Sequence, residues 1–337
     1  MKIPHTIIIA EAGVNHNGSP ELARRMITEA RRAGADYVKF QAVARVENLI
    51  ATSAPMARYQ QKNTGSDGSQ LEMVRGLMLP LEEYAMLAEC CREEEIGFVA
   101  TPFDIPSIGY LAALGMDFMK VPSGEITDLP YLRAVAAAGV PVVMSTGMAT
   151  MDEVKEAVGV LNQGGIALED ITLLHCTTEY PTPYGDVNLR AMLTMAREIG
   201  TKVGYSDHTR GIDVPIAAVA LGARVVEKHF TLDRSLPGPD HKASLTPDEL
   251  TGMVTAIRHI EQALGDGEKR VTDSERANIE VARRSIVAAR TILPGTVITA
   301  DDIAAKRPAT GLSPMKWDEV VGSRAKRRFE PDEPIEI

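Results

Sequence analysis

The sequence is poor in aromatic residues and has no excess of positive charge. Aromatic residues make up only 4% of the 337 positions, and the formal net charge at pH 7 is −10. A surface that stacks nucleic-acid bases needs aromatic side chains, and one that follows their phosphates needs an excess of Lys and Arg. We therefore expect no nucleic-acid partner and no binding to an anionic membrane. A local cluster of Lys or Arg could still bind a small anionic substrate.

Cysteines and long apolar runs are also scarce. Only three cysteines occur, and two of them, Cys90 and Cys91, are adjacent, so neither their number nor their spacing indicates a disulfide framework. No stretch approaches the roughly 18 consecutive apolar residues that suggest a membrane-spanning helix. The short apolar run at Thr6–Ala10 is followed at once by Glu11, which is unlike a signal peptide. These absences predict a protein of a reduced compartment, the cytoplasm, with no membrane partner.

The sequence does contain short β-branched runs that alternate with amphipathic segments of helix length. Ser19–Ala35 is one such segment, and Ser19 is suited to cap its first turn. The alternation predicts an α/β fold, a (β/α)8 TIM barrel. An open doubly wound sheet is the alternative, which the lack of a GxGxxG turn after the first run weakens. The eight predicted strands are Thr6–Ala10, Tyr37–Phe40, Phe98–Ala100, Phe118–Val121, Val142–Ser145, Ile171–His175, Val203–Ser206 and Val225–His229.

Changes in composition along the chain divide it into a large and a small domain. The barrel is predicted to occupy residues 1–267, followed by a charged linker with some helical content at 268–282. Residues 283–337 contain short β-branched runs and a Pro-Gly turn but no long helix, which predicts a small β-rich domain. Within the barrel, the polar segment Ala42–Leu79 is too long for an ordinary loop, so it is predicted to be part of a substrate lid or a surface excursion.

Chemically capable side chains stand at the carboxyl end of every predicted strand. In a barrel these ends form one face, and the active site lies there. Eight such coincidences in one register are difficult to explain as solvated surface. The residues are Glu11, Lys39 with Gln41, Thr101, Lys120 with Ser123 and Glu125, Ser145, His175, Ser206 with His208, and His229.

The histidines and lysines in this set suggest a metal and an anion. His208 and His229 fall on neighbouring strands, and two neutral imidazoles suit a divalent transition metal, although hydrogen-bonded rim histidines are the alternative. Lys39 and Lys120 would lie inside the barrel mouth, where a buried lysine is costly unless it pairs with an anion. Either lysine could instead form a Schiff base, as in barrel aldolases.

The carboxylates and hydroxyls complete the predicted site. Glu11 and Glu125 are candidates for acid–base chemistry or for binding substrate hydroxyls, and each could also form a salt bridge with a nearby lysine. Ser123, Ser145 and Ser206 would add hydroxyl donors suited to an anionic group. Each serine could equally well have a structural role.

Motifs spread over the whole chain resemble the N-acetylneuraminate synthase family of bacterial sialic acid synthases. They keep the order and spacing of that family. The C-terminal segment with KRPATGLSP resembles the family's antifreeze-like (SAF) domain. The motifs of the larger domain are IIIAEAGVNHNGS, YVKFQ, ATPFD, KVPSGEITDLPYL, STGMA, LLHCTTEYPTPYGDVNL, GYSDHT, EKHFTLD and GPDHKASL.

The resemblance implies a transferase that joins phosphoenolpyruvate to N-acetylmannosamine and yields N-acetylneuraminate and phosphate. Carbon 3 of phosphoenolpyruvate attacks the aldehyde of the open-chain sugar, water adds at carbon 2, and phosphate leaves with cleavage of its C–O bond. A divalent metal, usually manganese in this family, polarises the aldehyde. The family also contains legionaminate synthases, which use 2,4-diacetamido-2,4,6-trideoxymannose, so this sugar remains the alternative substrate.

The resemblance also implies roles for individual residues. His208 and His229 match the metal ligands, and Glu11, Glu125 and Lys120 match catalytic groups near the reacting centre. Thr178 stands where some members have Asn. The positions that match phosphoenolpyruvate contacts are Lys39, Thr101, Lys120, Ser123, Ser145, Thr178 and Ser206.

Three further residues match the amino-sugar side of the family's site. Tyr180 and Asp240 match positions that line it, and Arg307 matches an arginine that the small domain inserts into the partner subunit's barrel. A guanidinium offers a rigid fork of donors to the N-acyl or hydroxyl groups of a sugar. The match at Arg307 implies a domain-swapped homodimer.

Two hypotheses of other classes remain. A Schiff-base aldolase would use Lys120 or Lys39 with pyruvate and no metal. An ice-binding or carbohydrate-binding protein would be defined by its last domain, but a flat face rich in Thr and Ala is expected there. Met315–Asp318 and the charged RAKRRFEPDEP stretch fit such a face poorly.

Overall fold

The computed structural model describes residues 5–65 and 68–337. The chain divides into two compact units, Met1–Asp266 and Gly267–Ile337. Ser66 and Asp67, which belong to the predicted lid segment, lie outside the described residues, as do the first four residues. None of the described helices is both long enough and apolar enough to cross a membrane.

Eight parallel strands form the first unit and confirm the predicted barrel. They are β1 (Ile7–Gly13), β2 (Tyr37–Ala42), β3 (Gly97–Pro102), β4 (Met119–Val121), β5 (Val142–Ser145), β6 (Ile171–His175), β7 (Lys202–Asp207) and β8 (Val225–His229). Their hydrogen-bonded order is β3-β2-β1-β8-β7-β6-β5-β4, and β3 lies against β4, so the sheet nearly closes on itself. The first strand is longer than predicted, because Glu11 pairs in register with Lys39 on one side and His229 on the other.

Helices surround the barrel and follow most of its strands. Ser19 caps α1 as predicted, with its hydroxyl accepting from the backbone N–H of Leu22 at 3.3 Å. The helices of this unit are α1 (Pro20–Ala33), α2 (Val46–Leu49), α3 (Arg58–Thr64), α4 (Gln70–Leu77), α5 (Glu83–Glu93), α6 (Ile105–Ala113), α7 (Leu129–Ala137), α8 (Met151–Gln163), α9 (Arg190–Ile199), α10 (Asp213–Ala220) and α11 (Pro247–Leu264). The main core lies between these helices and the outer face of the strands.

The segment predicted as a lid or surface excursion contains three short helices, α2, α3 and α4. It has a small apolar cluster of its own that includes Val46 and Leu71. Asp104 lies in the loop after β3 and accepts hydrogen bonds from Ala44 N–H at 3.1 Å and from Asn48 Nδ2 at 2.8 Å. These bonds hold the start of the segment in place. The segment is therefore anchored beside the carboxyl ends of β2 and β3.

The second unit is small and β-rich, as predicted. It begins with α12 (Asp273–Ala282), which falls in the stretch predicted as a partly helical linker. The antiparallel strands β9 (Ser285–Ala288) and β10 (Ile303–Lys306) follow, with the one-turn helix α13 (Trp317–Val320). A separate core that includes Ile286, Ile298 and Phe329 holds this unit together. Separate cores are expected of separate domains.

Candidate active site

An apolar layer inside the barrel supports the candidate site. Side chains on a strand alternate between its two faces, so a residue two positions after an inward apolar residue also points inward. The inner layer consists of Ile9, Val99, Phe118, Val143, Leu174 and Val225. Two positions further along the same strands stand Glu11, Thr101, Lys120, Ser145, Cys176 and Glu227. The polar residues at the strand ends are therefore the next layer of the barrel interior.

These residues line a cavity of about 160 Å³ at the carboxyl ends of the strands, here called the polar chamber. It gathers most of the residues that the sequence predicted for the site. Those residues are Glu11, Lys39, Thr101, Lys120, Ser123, Ser145, Thr178, Tyr180, Ser206, His208 and His229.

The two lysines of the polar chamber have different partners. Lys39 Nζ lies 2.9 Å from Glu11 Oε2 and 3.7 Å from Glu227 Oε2, and it donates to Thr101 Oγ1 at 2.9 Å. Lys120 donates to Ser145 Oγ at 2.7 Å and to a backbone carbonyl at 2.9 Å. Among the described residues, no carboxylate lies within ion-pair distance of Lys120, although the lysine is only 2% exposed. A buried ammonium without a counter-ion favours the binding of an anion.

Burial and mutual charge shift the pKa values of Lys39, Lys120, Glu11 and Glu227. Burial acts to lower the pKa of Lys39, but Glu11 and Glu227 together raise it. Burial lowers the pKa of Lys120, with Glu227 opposing the effect. Burial also acts to raise the pKa of Glu227, yet Lys39 and Lys120 overcome it and the pKa falls below its usual value. The pKa of Glu11, in contrast, is raised by burial despite Lys39.

His208 and His229 lie side by side at the rim of the polar chamber. Their ring centroids are 5.6 Å apart. His208 Nδ1 donates to the Thr177 carbonyl at 2.6 Å, which leaves Nε2 as the free lone pair of the neutral ring. His229 Nδ1 is buried and has no hydrogen-bond partner among the described residues. Burial lowers the pKa of both histidines, so each is held neutral, as a metal ligand must be.

The histidine pair fits the predicted divalent metal as a partial ligand set. The Thr177 carbonyl orients the His208 ring as such acceptors orient metal-binding imidazoles, and the buried His229 Nδ1 has no partner among the described residues that would compete with a metal. The described residues contain no group of three or more His, Cys, Asp or Glu side chains that could hold a metal ion. Two imidazoles would leave the other coordination positions to substrate oxygens and water.

A second, larger cavity of about 330 Å³ opens beside the first and is here called the apolar chamber. The two chambers share Gln41, Phe103, Tyr180 and His229. The Tyr180 ring forms part of the partition, with its centroid 4.1 Å from that of His208 and 5.6 Å from that of His229. A site with two adjoining compartments can hold two substrates in contact.

Asp240 lies on the wall of the apolar chamber. Its carboxylate is buried, and Oδ1 has no hydrogen-bond partner among the described residues. Burial, reinforced by the charge of Glu11, raises the pKa of Asp240 to about 7. A buried acceptor without a partner is costly, which indicates that a ligand donor completes it.

Family comparison agrees with the two-unit architecture. Residues 26–269 match the model of the NeuB family, and residues 283–336 match that of the SAF domain. The chain belongs to the NeuB family. The resemblance found in the sequence is thereby confirmed.

Individual NeuB-family relatives match over nearly the whole chain. The N,N'-diacetyllegionaminic acid synthase of Campylobacter jejuni is 48% identical, with 98% of each chain covered. The protein of the same name from Legionella pneumophila is 45% identical, covering 94% of this chain and 89% of its own. The solved structure of N-acetylneuraminic acid (sialic acid) synthetase from Leptospira borgpetersenii has a TM-score of 0.71 and 35% identity, and it covers 82% of this chain and 91% of that one.

Of the residues predicted within the barrel, Glu125 does not line either chamber of this NeuB-family site. It is half-buried on a 3-10 turn at Ser123–Glu125. Burial raises the pKa of Glu125, with Asp128 adding to the effect. Arg307 belongs to the second unit and is exposed there.

Two lining residues, Glu227 of the polar chamber and Tyr59 of the apolar chamber, are not predicted from the sequence. Glu227 stands two positions before His229 on β8, so the period of a strand could have revealed that both face the interior. Tyr59 lies on α3, and its ring centroid is 5.0 Å from that of Tyr180. No local pattern marks Tyr59, because the helix that carries it is far from the strand ends along the chain.

Proposed function

We propose that this NeuB-family protein condenses phosphoenolpyruvate with 2,4-diacetamido-2,4,6-trideoxymannose to give N,N'-diacetyllegionaminic acid and phosphate. N-acetylmannosamine, the substrate that the sequence analysis put first, becomes the alternative. The relatives named as legionaminic acid synthases support this order, because they are 48% and 45% identical, against 35% for the sialic acid synthetase.

One observation carries the phosphoenolpyruvate half of the proposal. Lys120 is buried with no counter-ion among the residues that the structure describes, and the hydroxyls of Ser123, Ser145 and Ser206 line the same polar chamber. Phosphoenolpyruvate carries a phosphate and a carboxylate, both of which accept charge-assisted hydrogen bonds. Binding of this anion would supply a counter-ion to Lys120.

The carboxylates would manage protons and orientation. Carbon 3 of phosphoenolpyruvate bonds to the sugar aldehyde carbon, water adds to carbon 2, and phosphate leaves as the C–O bond breaks. Glu11, with its raised pKa, is suited to hold and pass on a proton, while Glu227 stays ionised beside the lysines. Glu125, the other carboxylate predicted from the sequence, follows Ser123 and Gly124 of the chamber wall but does not itself line the chamber, so we assign the proton transfer to Glu11 first.

We assign the metal, manganese or another divalent ion, to His208 and His229. When bound, it would polarise the sugar aldehyde as a Lewis acid. The Thr177 carbonyl holds His208 in the required tautomer, and the Tyr180 ring limits the rotation of both imidazoles.

Arg307 and the small domain belong to the proposal through the family resemblance. We propose that two chains form a domain-swapped homodimer in which Arg307 of one chain reaches the sugar site of the other. Its exposure within its own unit leaves the guanidinium available for such a contact.

The proposal is tested by following phosphate release. Purified protein is incubated with Mn²⁺, phosphoenolpyruvate and either sugar. We expect phosphate release with each sugar in its own incubation and a larger kcat/KM for the diacetamido sugar. No release with either sugar would exclude a synthase. Borohydride trapping with pyruvate then examines the aldolase hypothesis, since a covalent adduct on Lys120 or Lys39 would support it.

A further inference from the structure

One wall of the apolar chamber is a single face of the short helix α4. Gln70, Met73, Val74 and Leu77 all line the chamber. Their spacing of i, i+3, i+4 and i+7 puts them on one side of a helix. All four side chains are half-buried, whereas Glu72 between them is exposed. After its first residue, this face offers only apolar atoms to the chamber.

The other side of the same chamber is polar. Asp240 contributes a carboxylate oxygen that has no hydrogen-bond partner within residues 5–65 and 68–337, and His229, the last residue of β8, also lines the chamber. Gln41, which lines both chambers, donates a hydrogen bond of 3.1 Å to Glu11 Oε1. The apolar chamber is thus polar near the histidines and apolar at α4, and a ligand inside it must match that gradient.

The proposed reaction gives the sugar a direction in this chamber. Its aldehyde has to face the polar chamber, because carbon 3 of phosphoenolpyruvate attacks there. The end of the sugar that bears carbon 6 then points away from the histidines and toward α4. The volume of about 330 Å³ lies at the small end of ligand sites, which run from about 300 to 1,000 Å³.

We propose that the apolar face of α4, through Met73, Val74 and Leu77, selects sugars that carry a methyl group rather than a hydroxymethyl group at carbon 6. The inference rests on the proposed function and names the residues that would decide its substrate. A methyl group gains by burial against apolar side chains. A hydroxyl at the same place loses water and finds no partner on this face.

The expected preference is moderate. Apolar pockets discriminate against a misplaced or hydroxylated group by about 10- to 200-fold in kcat/KM. We expect the wild-type protein to prefer the 6-deoxy sugar by about tenfold or more, within that range. Larger discrimination would require polar groups that are left unpaired by the wrong sugar.

The test compares two sugars that differ only at carbon 6: N-acetylmannosamine and its 6-deoxy analogue. Phosphate release gives kcat/KM for each sugar, and the ratio of the two values is the preference. Where only the diacetamido sugar is turned over, the ratio of the inhibition constants of the two analogues gives the preference in binding. Met73→Gln and Leu77→Asn should bring the ratio close to one. Met73→Leu should keep it, and Glu72→Gln, next to Met73 but outside the chamber, is the matched control.

The outcomes separate this inference from the proposed function. No turnover of any sugar by the wild-type protein would overturn the proposed function. Turnover with equal efficiency for the two analogues would leave that function intact and overturn the role of α4. A wild-type preference that persists in folded Met73→Gln and Leu77→Asn would also overturn it. Val74→Thr, which exchanges a methyl for a hydroxyl at constant size, serves if the larger changes prevent folding.

Discussion

At the scale of single residues, the barrel mouth distinguishes two lysines of the same type. Lys39 is neutralised by Glu11 and Glu227, whereas Lys120 has only neutral hydrogen-bond partners among the described residues. The first ammonium is part of a network that exists without substrate. The second is free to pair with a bound anion. Mutation of Lys39 should therefore disturb the internal network, whereas mutation of Lys120 should weaken substrate binding.

Lys120→Met should abolish most of the binding of phosphoenolpyruvate without destabilising the fold. Removing one member of a buried charge pair costs about 2–5 kcal/mol, or roughly 30- to several thousand-fold in kcat/KM for phosphoenolpyruvate. Because no carboxylate of the described part of the chain pairs with Lys120, its loss leaves no buried anion behind there. Steady-state kinetics and thermal unfolding measure the two effects. The exposed Lys155→Met is the control, and a Lys120→Met enzyme with unchanged kcat/KM would contradict the assignment.

Asp240 should make stability depend on pH in an unusual direction. Its pKa is about 7 in the folded chain against 3.8 for an ordinary Asp, so between these values the folded state holds a proton that the unfolded chain has released. The stability contributed is therefore present below 3.8 and is lost as pH rises through about 7. Asp240→Asn should remove this loss.

Urea unfolding of the metal-free protein at about pH 5 and about pH 8 measures this dependence. The difference between wild type and Asp240→Asn should grow at the higher pH, in favour of the variant. Asp248→Asn changes an exposed Asp on α11 and serves as the control. Parallel pH profiles for wild type and Asp240→Asn would refute the shifted titration.

At the scale of elements, β7 and β8 position both candidate metal ligands, because His208 directly follows β7 and His229 ends β8. One residue lies between Ser206 and His208, and one lies between Glu227 and His229. Because side chains alternate along a strand, both of these residues point away from the barrel interior. Those residues are Asp207 and Lys228, which form a fully buried ion pair at 2.5 Å. The Asp207 carboxylate also accepts from Thr209 N–H at 3.1 Å, which fixes the turn after His208. The ion pair thus supports the histidines from behind.

Lys228→Met should destabilise the barrel strongly, because it leaves the Asp207 carboxylate buried without its cation. The expected loss is about 3–5 kcal/mol in the free energy of unfolding. Adding Asp207→Asn should recover much of that loss, since a neutral pair no longer buries an uncompensated charge. Urea unfolding of the two single variants and the double variant measures the coupling. Strictly additive losses would contradict a direct pair.

The elements also differ in how well local sequence predicts them. The barrel strands are recognisable because β-branched runs are bounded by Gly and by amphipathic segments. Their ends were misjudged: β1 continues to Gly13 and β7 to Asp207, since pairing with two neighbours extends a strand beyond its apolar run. The helices α2, α3 and α4 were not predicted individually. They are short, and α2 and α4 pack together in one small apolar cluster with Phe103, which supports them more than helix propensity does.

At the scale of the whole molecule, the proposed homodimer can be tested by complementation. Lys120→Met inactivates the barrel and Arg307→Ala inactivates the small domain. In a swapped dimer of one chain of each kind, one site combines an intact barrel with an intact partner arginine. Random pairing should then restore about a quarter of the wild-type sites.

Co-expression of the two variants without sorting measures this recovery, and the mixed dimer isolated through two separate tags should have about half of the wild-type sites. Each variant alone should stay inactive. If Arg307 acts on its own chain's barrel, the mixed dimer contains no complete site and no activity returns. The double variant Lys120→Met/Arg307→Ala paired with wild type is the control for dimer formation.

The sequence by itself determined the barrel and the layer of reactive side chains at its mouth. Eight β-branched runs predict the strands, and the period of two on a strand decides that Glu11, Lys120 and His229 face inward. The family also followed from the sequence, because its motifs are local. The sugar did not: the sequence put N-acetylmannosamine first, while the comparisons favour the diacetamido sugar.

Only the tertiary structure decided which of these side chains neutralise one another. Strands that are neighbours around the barrel are far apart along the chain, and their register pairs Glu11 with both Lys39 and His229. That pairing leaves Lys120 without a carboxylate partner among the described residues and so available to an anion. The same closure brings α4, an element with no motif of its own, against the chamber that His229 and Asp240 line. Long-range packing, rather than local pattern, thus sets the chemistry of the site.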